Sequence, residues 1–372
     1  MSKIKILFFT PFAGRTGSEM SLYNLIKYIN HDMFDIRLYS MRKGELLKDL
    51  TPFIKTYYDK SDGNALLRIY NKIKKKLNCK SDLEKSILHV HYQFRPDIWF
   101  LNTMMLEDVV EIANKYNIPF CIYFHELITQ YGYVKYDSLK TMIHNARFTI
   151  GCSDPVVDNL RIMESSKSLK LFECIDTNAI DASIRKKIKI NFNNKNNEII
   201  IGMSGQRIDR KGFDLFIRTA INLKNEPYHF LWLGASKNSG YEFFIDKLIA
   251  HHKLHNITIV HPEPNQYYSY FQNIDIFFLS STEDPFPLVM LEAAYLKKYI
   301  VSFSSGGVNQ LLKMYPGTII DEINPDKSAQ VLKRVIEKEE YIVKHTFDES
   351  LFEYSVNVQV KKFEELLTQY AN

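Results

Sequence analysis

The chain alternates short apolar runs with stretches of helical periodicity, and it goes through that alternation twice. Ile4–Phe9 is a β-branched and aromatic run that predicts a buried strand, and beyond it Leu22, Leu25, Ile26 and Ile29 recur at helical spacing. Further strands are expected at Phe34–Tyr39, Ile87–Tyr92, Asp97–Asn102, Pro119–Phe124, Phe148–Cys152 and Leu169–Ile175, with a helix over Leu106–Lys115; residues 41–62 show no clear period. Asp176–Asn197, rich in Asn and Lys, reads as a linker. The pattern then restarts at Glu198–Ser204 and continues through Tyr228–Leu233, Ile257–Val260, Ile274–Leu279 and Tyr299–Phe303, and a long helix is expected over Asp348–Gln369. Strands alternating with helices predict an α/β chain with parallel sheets. The expected division is an α/β domain at 1–176, a linker at 177–197, a second α/β domain at 198–347 and a terminal helix at 348–372.

The most informative stretch follows Ile274–Leu279. Ser280-Ser281-Thr282-Glu283-Asp284-Pro285-Phe286-Pro287 is a polar, proline-rich loop, and Leu288, Leu291, Glu292 and Tyr295 then form one stripe of a helix. Pro287 is expected at the first helical position, leaving the N–H groups of Leu288, Val289 and Met290 pointing outward, an arrangement that attracts anions. A carboxylate on an apolar stripe, such as Glu292, is costly unless something hydrogen-bonds it. On the residues alone, Asp284 and Glu292 serve either a ligand or only the helix dipole and the solvated stripe edge.

Other strand ends carry candidate chemistry. Gly14 and Gly17 follow the first strand, with Ser18 as a helix cap; a strand–glycine–helix turn either approaches a ligand or only connects elements. His125 and Glu126 follow Pro119–Phe124, at the edge where such sheets bind ligands, although a lone histidine there is as often structural. Gly205-Gln206-Arg207-Ile208-Asp209-Arg210-Lys211-Gly212 brings three cations into a strand–loop–helix turn, and the bland reading is a solvated basic loop. His261-Pro262 ends another strand, and Ser304-Ser305-Gly306-Gly307 is a further glycine-rich turn.

Composition narrows the class. With 372 residues, 45% hydrophobic and 13% aromatic, the chain supports two cores and is not disordered. Cys79, Cys121, Cys152 and Cys174 show neither C-x-x-C nor zinc spacing and read as reduced thiols of a cytoplasmic protein. The apolar run after Lys3 and Lys5 is too short for a signal peptide, and none is long enough to span a membrane. A net charge of +5 leaves electrostatic partners to local patches, and nucleic acid is not expected. The clearest patch is residues 65–80, where Leu66, Leu67, Ile69, Tyr70, Ile73 and Leu77 share a helical pattern with Lys72, Lys74, Lys75, Lys76 and Lys80. It fits either an anionic membrane surface or the solvated face of a packed helix.

The Glu-Asp-Pro-Phe-Pro-Leu-Val stretch, with seven residues between Asp284 and Glu292, resembles the signature of retaining GT-B glycosyltransferases of the group 1, family four type. The resemblance implies two Rossmann-like domains facing across a cleft, with the terminal helix returning to the first. It implies a UDP- or GDP-linked sugar as donor, no cofactor and no metal. Asp284, or its neighbour Glu283, would hold the donor sugar. The following stretch Phe286, Pro287, Leu288 and Val289 would meet the diphosphate and Glu292 the ribose. Lys211 matches the lysine of the family's basic motif; Gln206 stands where the family has arginine, leaving Arg207 or Arg210 to supply a second charge. Gly17 matches the first glycine loop, His125 the functional histidine near the reacting sugar, and His261 a nucleotide-base contact. Gln310 stands where the family commonly has Glu. The acceptor implied is a glycan or lipid-linked sugar in bacterial surface polysaccharide assembly, on the cytoplasmic side of a membrane. A silent GT-B-like binding or scaffold protein is the alternative reading, and a nucleotide-sugar epimerase of the same shape a third.

Overall fold

The computed structural model describes residues 3–60, 80–186, 198–343 and 353–370. They form two compact units, Met1–Cys174 with Val356–Asn372, and Ile175–Ser355. The first holds β1 (Ile4–Thr10), β2 (Phe34–Ser40), β3 (Lys55–Tyr58), β4 (Ile98–Asn102), β5 (Phe120–Phe124), β6 (Thr149–Gly151) and β7 (Ser168–Lys170) in a parallel sheet ordered β3-β2-β1-β4-β5-β6-β7. The second holds β8 (Ile199–Ser204), β9 (Tyr228–Leu233), β10 (Ile257–Val260), β11 (Ile276–Leu279), β12 (Tyr299–Phe303) and β13 (Gly317–Ile320), also parallel, ordered β10-β9-β8-β11-β12-β13. Strands β4, β5, β11 and β12 are buried along their whole length, as expected when helices cover both faces of a parallel sheet. Burying each Phe or Ile side chain of these strands contributes about 1.5–3 kcal/mol.

In both sheets the strand order reverses beside the first strand, between β1 and β4 and between β8 and β11. The connections on either side of such a point leave in opposite directions and open a crevice at the carboxyl ends of the strands. The loops that matter below are the ones that leave those strands.

Three elements differ from the expectation. Ile87–Tyr92 lies not in a strand but inside the helix Asp82–Phe94, which buries Ile87, Leu88, Val90 and Phe94 on one face. Its start is a Ser-x-x-Glu capping signal, Ser81 accepting a hydrogen bond from the Glu84 amide. The described part of 177–197 begins with a helix, Thr177–Arg185, whose cap Asp176 accepts from the Ala179 amide and whose Asp181 accepts from the Tyr295 hydroxyl; it belongs to the second unit instead of forming a free linker. Residues 41–62 include a short helix, Leu46–Leu50, and the edge strand β3. The terminal helix runs over Val356–Tyr370 and packs in the first unit, where Phe363 meets Phe8 and Phe100 and Gln359 accepts from the Phe172 amide. The basic stretch 65–80 lies, except for Lys80, outside the described residues. Among the described residues no helix is long and apolar enough to cross a membrane, and the three described cysteines, Cys121, Cys152 and Cys174, are buried and in no disulfide.

Candidate functional site

In the second unit the reversal point lies between the loop after β8, which carries Arg207, Arg210 and Lys211, and the loop after β11, which carries Ser280–Pro287. The two are laced together by main-chain groups. The Thr282 amide donates to the Arg210 carbonyl at 3.0 Å, the Ser280 hydroxyl to the Lys211 carbonyl at 3.0 Å, and the Arg210 guanidinium to the Glu283 carbonyl at 3.0 Å. Gly212 has a φ of +67°, and a Cβ there would come within 1.9 Å of the Ser280 carbonyl oxygen. Only glycine satisfies both constraints. Behind the loop, Trp232 of β9 donates its indole N–H to the Gly205 carbonyl at 2.9 Å and fixes where the turn begins.

A third loop, after β12, closes around the same point. The Asp284 amide donates to the Ser305 hydroxyl at 2.7 Å, and the Gly307 amide to the Pro285 carbonyl at 2.7 Å. Gly306, with φ +49°, lies so close that a Cβ would meet the Asp284 carbonyl oxygen at 1.9 Å.

This scaffold holds one side-chain pair. The Lys211 ammonium forms a short ion pair with Asp284, whose carboxylate is buried and also accepts from the Ser281 hydroxyl at 3.3 Å. Asp284 thus turns its carboxylate to Lys211, while Glu283 enters the network through its carbonyl. Arg207 takes a different direction: its guanidinium lies 3.8 Å from Glu242, and its buried Nε has no hydrogen-bond partner. Burial alone would raise the Glu242 pKa, but the Ser236 hydroxyl, the Lys237 amide and Arg207 outweigh it and hold the group below its ordinary value. Of the two arginines, Arg210 is the one built into the Lys211–Asp284 loops.

Pro287 caps the helix Leu288–Tyr295 from outside, one residue earlier than expected, because its ψ of 123° is extended; the Met290 amide is then taken by the Pro287 carbonyl at 3.0 Å. The Phe286 ring is buried against Tyr354 and above Gly307, so any ligand contact there is through its main chain. One turn into the helix, Glu292 receives the Tyr268 hydroxyl at 2.8 Å and the Tyr267 hydroxyl at 3.0 Å. Burial pushes its pKa up to about 7 although both tyrosines pull the other way. His261 is exposed at the end of the edge strand β10, with β9 between that strand and β8, and the Gln206 main-chain carbonyl accepts from the Ile208 amide within the turn.

In the first unit Gly17 opens the helix Gly17–Tyr28 with nothing within 4 Å of where a Cβ would stand. Thr16, not Ser18, is the capping residue, and its hydroxyl meets Glu19. His125, after β5, is packed against Tyr123 and bonded at both ring nitrogens, Nδ1 to Glu173 at 2.6 Å and Nε2 to Asn102 Oδ1 at 3.0 Å. Asn102 cannot be turned the other way, because its amide nitrogen donates to the Ser18 carbonyl at 3.1 Å. A carboxylate and an amide oxygen both only accept, so both ring nitrogens donate and His125 is an imidazolium. Burial opposes that charge, but Glu173, with Glu126 and Glu19, outweighs it and holds the pKa above the ordinary histidine value. Cys152 places a third potential ligand atom beside His125 and Glu173, within 4.8 Å. A protonated ring offers no lone pair to a metal, nor to a substrate proton.

Residues 184–348 match the family model of glycosyl transferases group 1. That span contains both loops of the Lys211–Asp284 pair and the Glu292 helix. The whole chain has the GT-B fold. Anabaena HepE, solved in complex with UDP-glucose, superposes with a TM-score of 0.78 at 14% identity, over 98% of this chain and 100% of that one. Sucrose-phosphate synthase from Thermosynechococcus elongatus gives 0.76 at 14% identity over 99% of each chain. UDP-GlcNAc 2-epimerase from Neisseria meningitidis, bound to UDP-GlcNAc, gives 0.69 at 15% identity, over 98% of this chain and 100% of that one. No curated protein matches the chain with significant similarity. A fold common to transferases and an epimerase does not fix a reaction, so the chemistry rests on the site.

Sequence reasoning missed Glu173, Asn102, Tyr267 and Tyr268, and took Ser305 only as part of a glycine-rich turn. Glu173 had a signal: it is the one charge in the apolar run Leu171–Ile175.

Proposed function

We propose that this chain is a retaining, metal-independent glycosyltransferase that moves a sugar from a UDP- or GDP-linked donor to a glycan or lipid-linked acceptor in surface polysaccharide assembly. The observation that carries the reading is the Lys211–Asp284 pair at the strand-order reversal, held by three interlocked loops. A diphosphate entering there takes Lys211 from Asp284, and the released carboxylate becomes an acceptor for hydroxyls of the donor sugar. Lys211, the amides beyond Pro287 and Arg207 or Arg210 then oppose the charge that grows as the diphosphate leaves. Glu292 accepts from the ribose, and Gly17 leaves room for substrate at the first unit. Retention follows if the departing phosphate, not a side chain, helps remove the acceptor proton; the protonated His125 of the first unit is not a base. The match to group 1 glycosyl transferases and the GT-B neighbours that bind UDP or UDP-sugars support this reading.

Calorimetry with UDP, GDP and their glucose conjugates, beside donor hydrolysis with and without EDTA, tests it. Binding in the micromolar range, about −8 kcal/mol, with EDTA-resistant hydrolysis is expected, and NMR of a transferred sugar should show the donor's anomeric configuration. Absence of nucleotide binding would sink the reading. The neutral Gln206 and Gln310, whose buried Oε1 has no partner, favour a second reading, a nucleotide-sugar-binding protein without turnover; tight donor binding with no hydrolysis or transfer would select it.

We further propose that the chain works at the inner face of a membrane through residues 65–80. At about 1 kcal/mol per cation near an anionic surface, replacing Lys72, Lys74, Lys75 and Lys76 by serine should end co-sedimentation with phosphatidylserine vesicles. Undiminished sedimentation of the variant would remove the proposal.

A further inference from the structure

Glu292 is a carboxylate with two phenols aimed at it, one on each oxygen. The phenols are neighbours on the short helix Tyr267–Phe271, their ring centroids 4.9 Å apart and steeply inclined at 76°, so each ring limits the other's rotation. Tyr267 has one proton and two polar neighbours, Glu292 and Ser204 Oγ at 2.9 Å. The carboxylate only accepts, so Tyr267 donates to Glu292 and Ser204 donates to Tyr267. The relay ends at Ser204, the last residue of β8, beside the turn that carries Lys211. A carboxylate has about four acceptor positions. The tyrosines fill one on each oxygen and leave one on each. Two free acceptors side by side in one plane match two vicinal hydroxyls.

We infer that Tyr267 and Tyr268 are positioning residues that hold the Glu292 carboxylate in the orientation that accepts both hydroxyls of a ribose, so that the site selects ribonucleotides over 2′-deoxyribonucleotides. The inference rests on the nucleotide-sugar reading above. Glu292 keeps part of its surface exposed, and no cation faces it among the described contacts. Around it are Tyr267 and Tyr268 from one helix, Asp176 behind Tyr268, and Tyr295 on its own helix, tied to Asp181. With no cation near, the two phenol protons are what favours the ionised acid, whose pKa stands near 7. Removing either hydroxyl frees the carboxylate to turn and moves its titration upward.

The test is calorimetry on the full chain with UDP and GDP, each against its 2′-deoxy form, at pH 6, 7 and 8.5. The ratio of ribo to deoxy affinity cancels the titration of the diphosphate, which both ligands share. In the wild type this ratio should rise with pH as Glu292 ionises, to about tenfold, the value of one hydrogen bond to a charged group. Tyr267→Phe and Tyr268→Phe keep the rings packed; each should bring the ratio toward one at pH 7 and shift its rise to higher pH. Glu292→Gln should flatten the ratio at every pH. If the Phe variants keep the wild-type ratio and midpoint while Glu292→Gln loses them, the tyrosines are only packing and the inference is overturned. If Glu292→Gln itself keeps ratio and affinity, the ribose reading of Glu292 is wrong and the inference falls with it.

Discussion

Replacing Lys211 by methionine is expected to lower donor turnover by about 10²–10³-fold, the loss typical when one group facing developing charge is removed. It should also destabilise the second unit by about 3–5 kcal/mol, because breaking a buried ion pair strands the remaining charge. Asp284 is that charge: its side chain is 7% exposed, and its remaining partner in the network is the Ser281 hydroxyl. The two effects are separable. In the double variant Lys211→Met, Asp284→Asn no charge is stranded, so most of the stability should return while turnover stays lost. Asp284→Asn alone should bind the free nucleoside diphosphate more tightly than the wild type, since the competing anion on Lys211 is gone, yet lose the preference for intact donor. Denaturant midpoints beside calorimetry and a hydrolysis assay read all of this. A double variant as unstable as Lys211→Met would show that the pair is not what holds the loops.

That competition was not legible from the sequence. Asp284 and Lys211 were each readable as strand-end charges, but their 73-residue separation hides that each neutralises the other until a ligand intervenes. The same limit explains the missed partners. The carboxylate that charges His125 lies 48 residues away, the hydroxyl that receives the Asp284 amide 21 and the phenols on Glu292 24 and 25. Local pattern places a residue at a strand end; only strand order says which ends are neighbours. Local pattern did suffice where the element is buried throughout, as in β5, β11 and β12, because a parallel strand covered on both faces must be apolar at every position. It failed at Ile87–Tyr92, where a short apolar run fits strand and helix equally and the decision lay upstream, in the Ser81–Glu84 cap.

His125 offers the sharpest separation of two mechanisms. Its pKa is raised in the folded chain, so the stability it contributes is complete below the unfolded value of 6.5 and is lost as pH rises through the folded value. Glu292, also raised, loses its contribution between 4.5 and about 7, in the other unit, so Glu292→Gln removes that slope, and the buried His91 and His229, whose lowered pKa values give the opposite sign, stay common to every chain compared and cancel in the difference. In that background Glu173→Gln should invert the slope. Without its principal counter-ion, burial dominates and drives the imidazole below 6.5, so the first unit then gains stability as pH rises through that region. His125→Ala is the harsher change, costing about 3–5 kcal/mol at pH 7 because Glu173 is left buried and unpaired. Turnover follows the same sign, and is read in a separate assay on the Glu173→Gln and parent chains. A histidine acting as a base gains activity as it loses its proton; an imidazolium acting by charge loses activity on the alkaline side. The bonds to Glu173 and Asn102 make the second the expected result. A turnover profile of the parent chain that instead rises through the imidazole titration, measured by ring-proton NMR, would return His125 to the role of base.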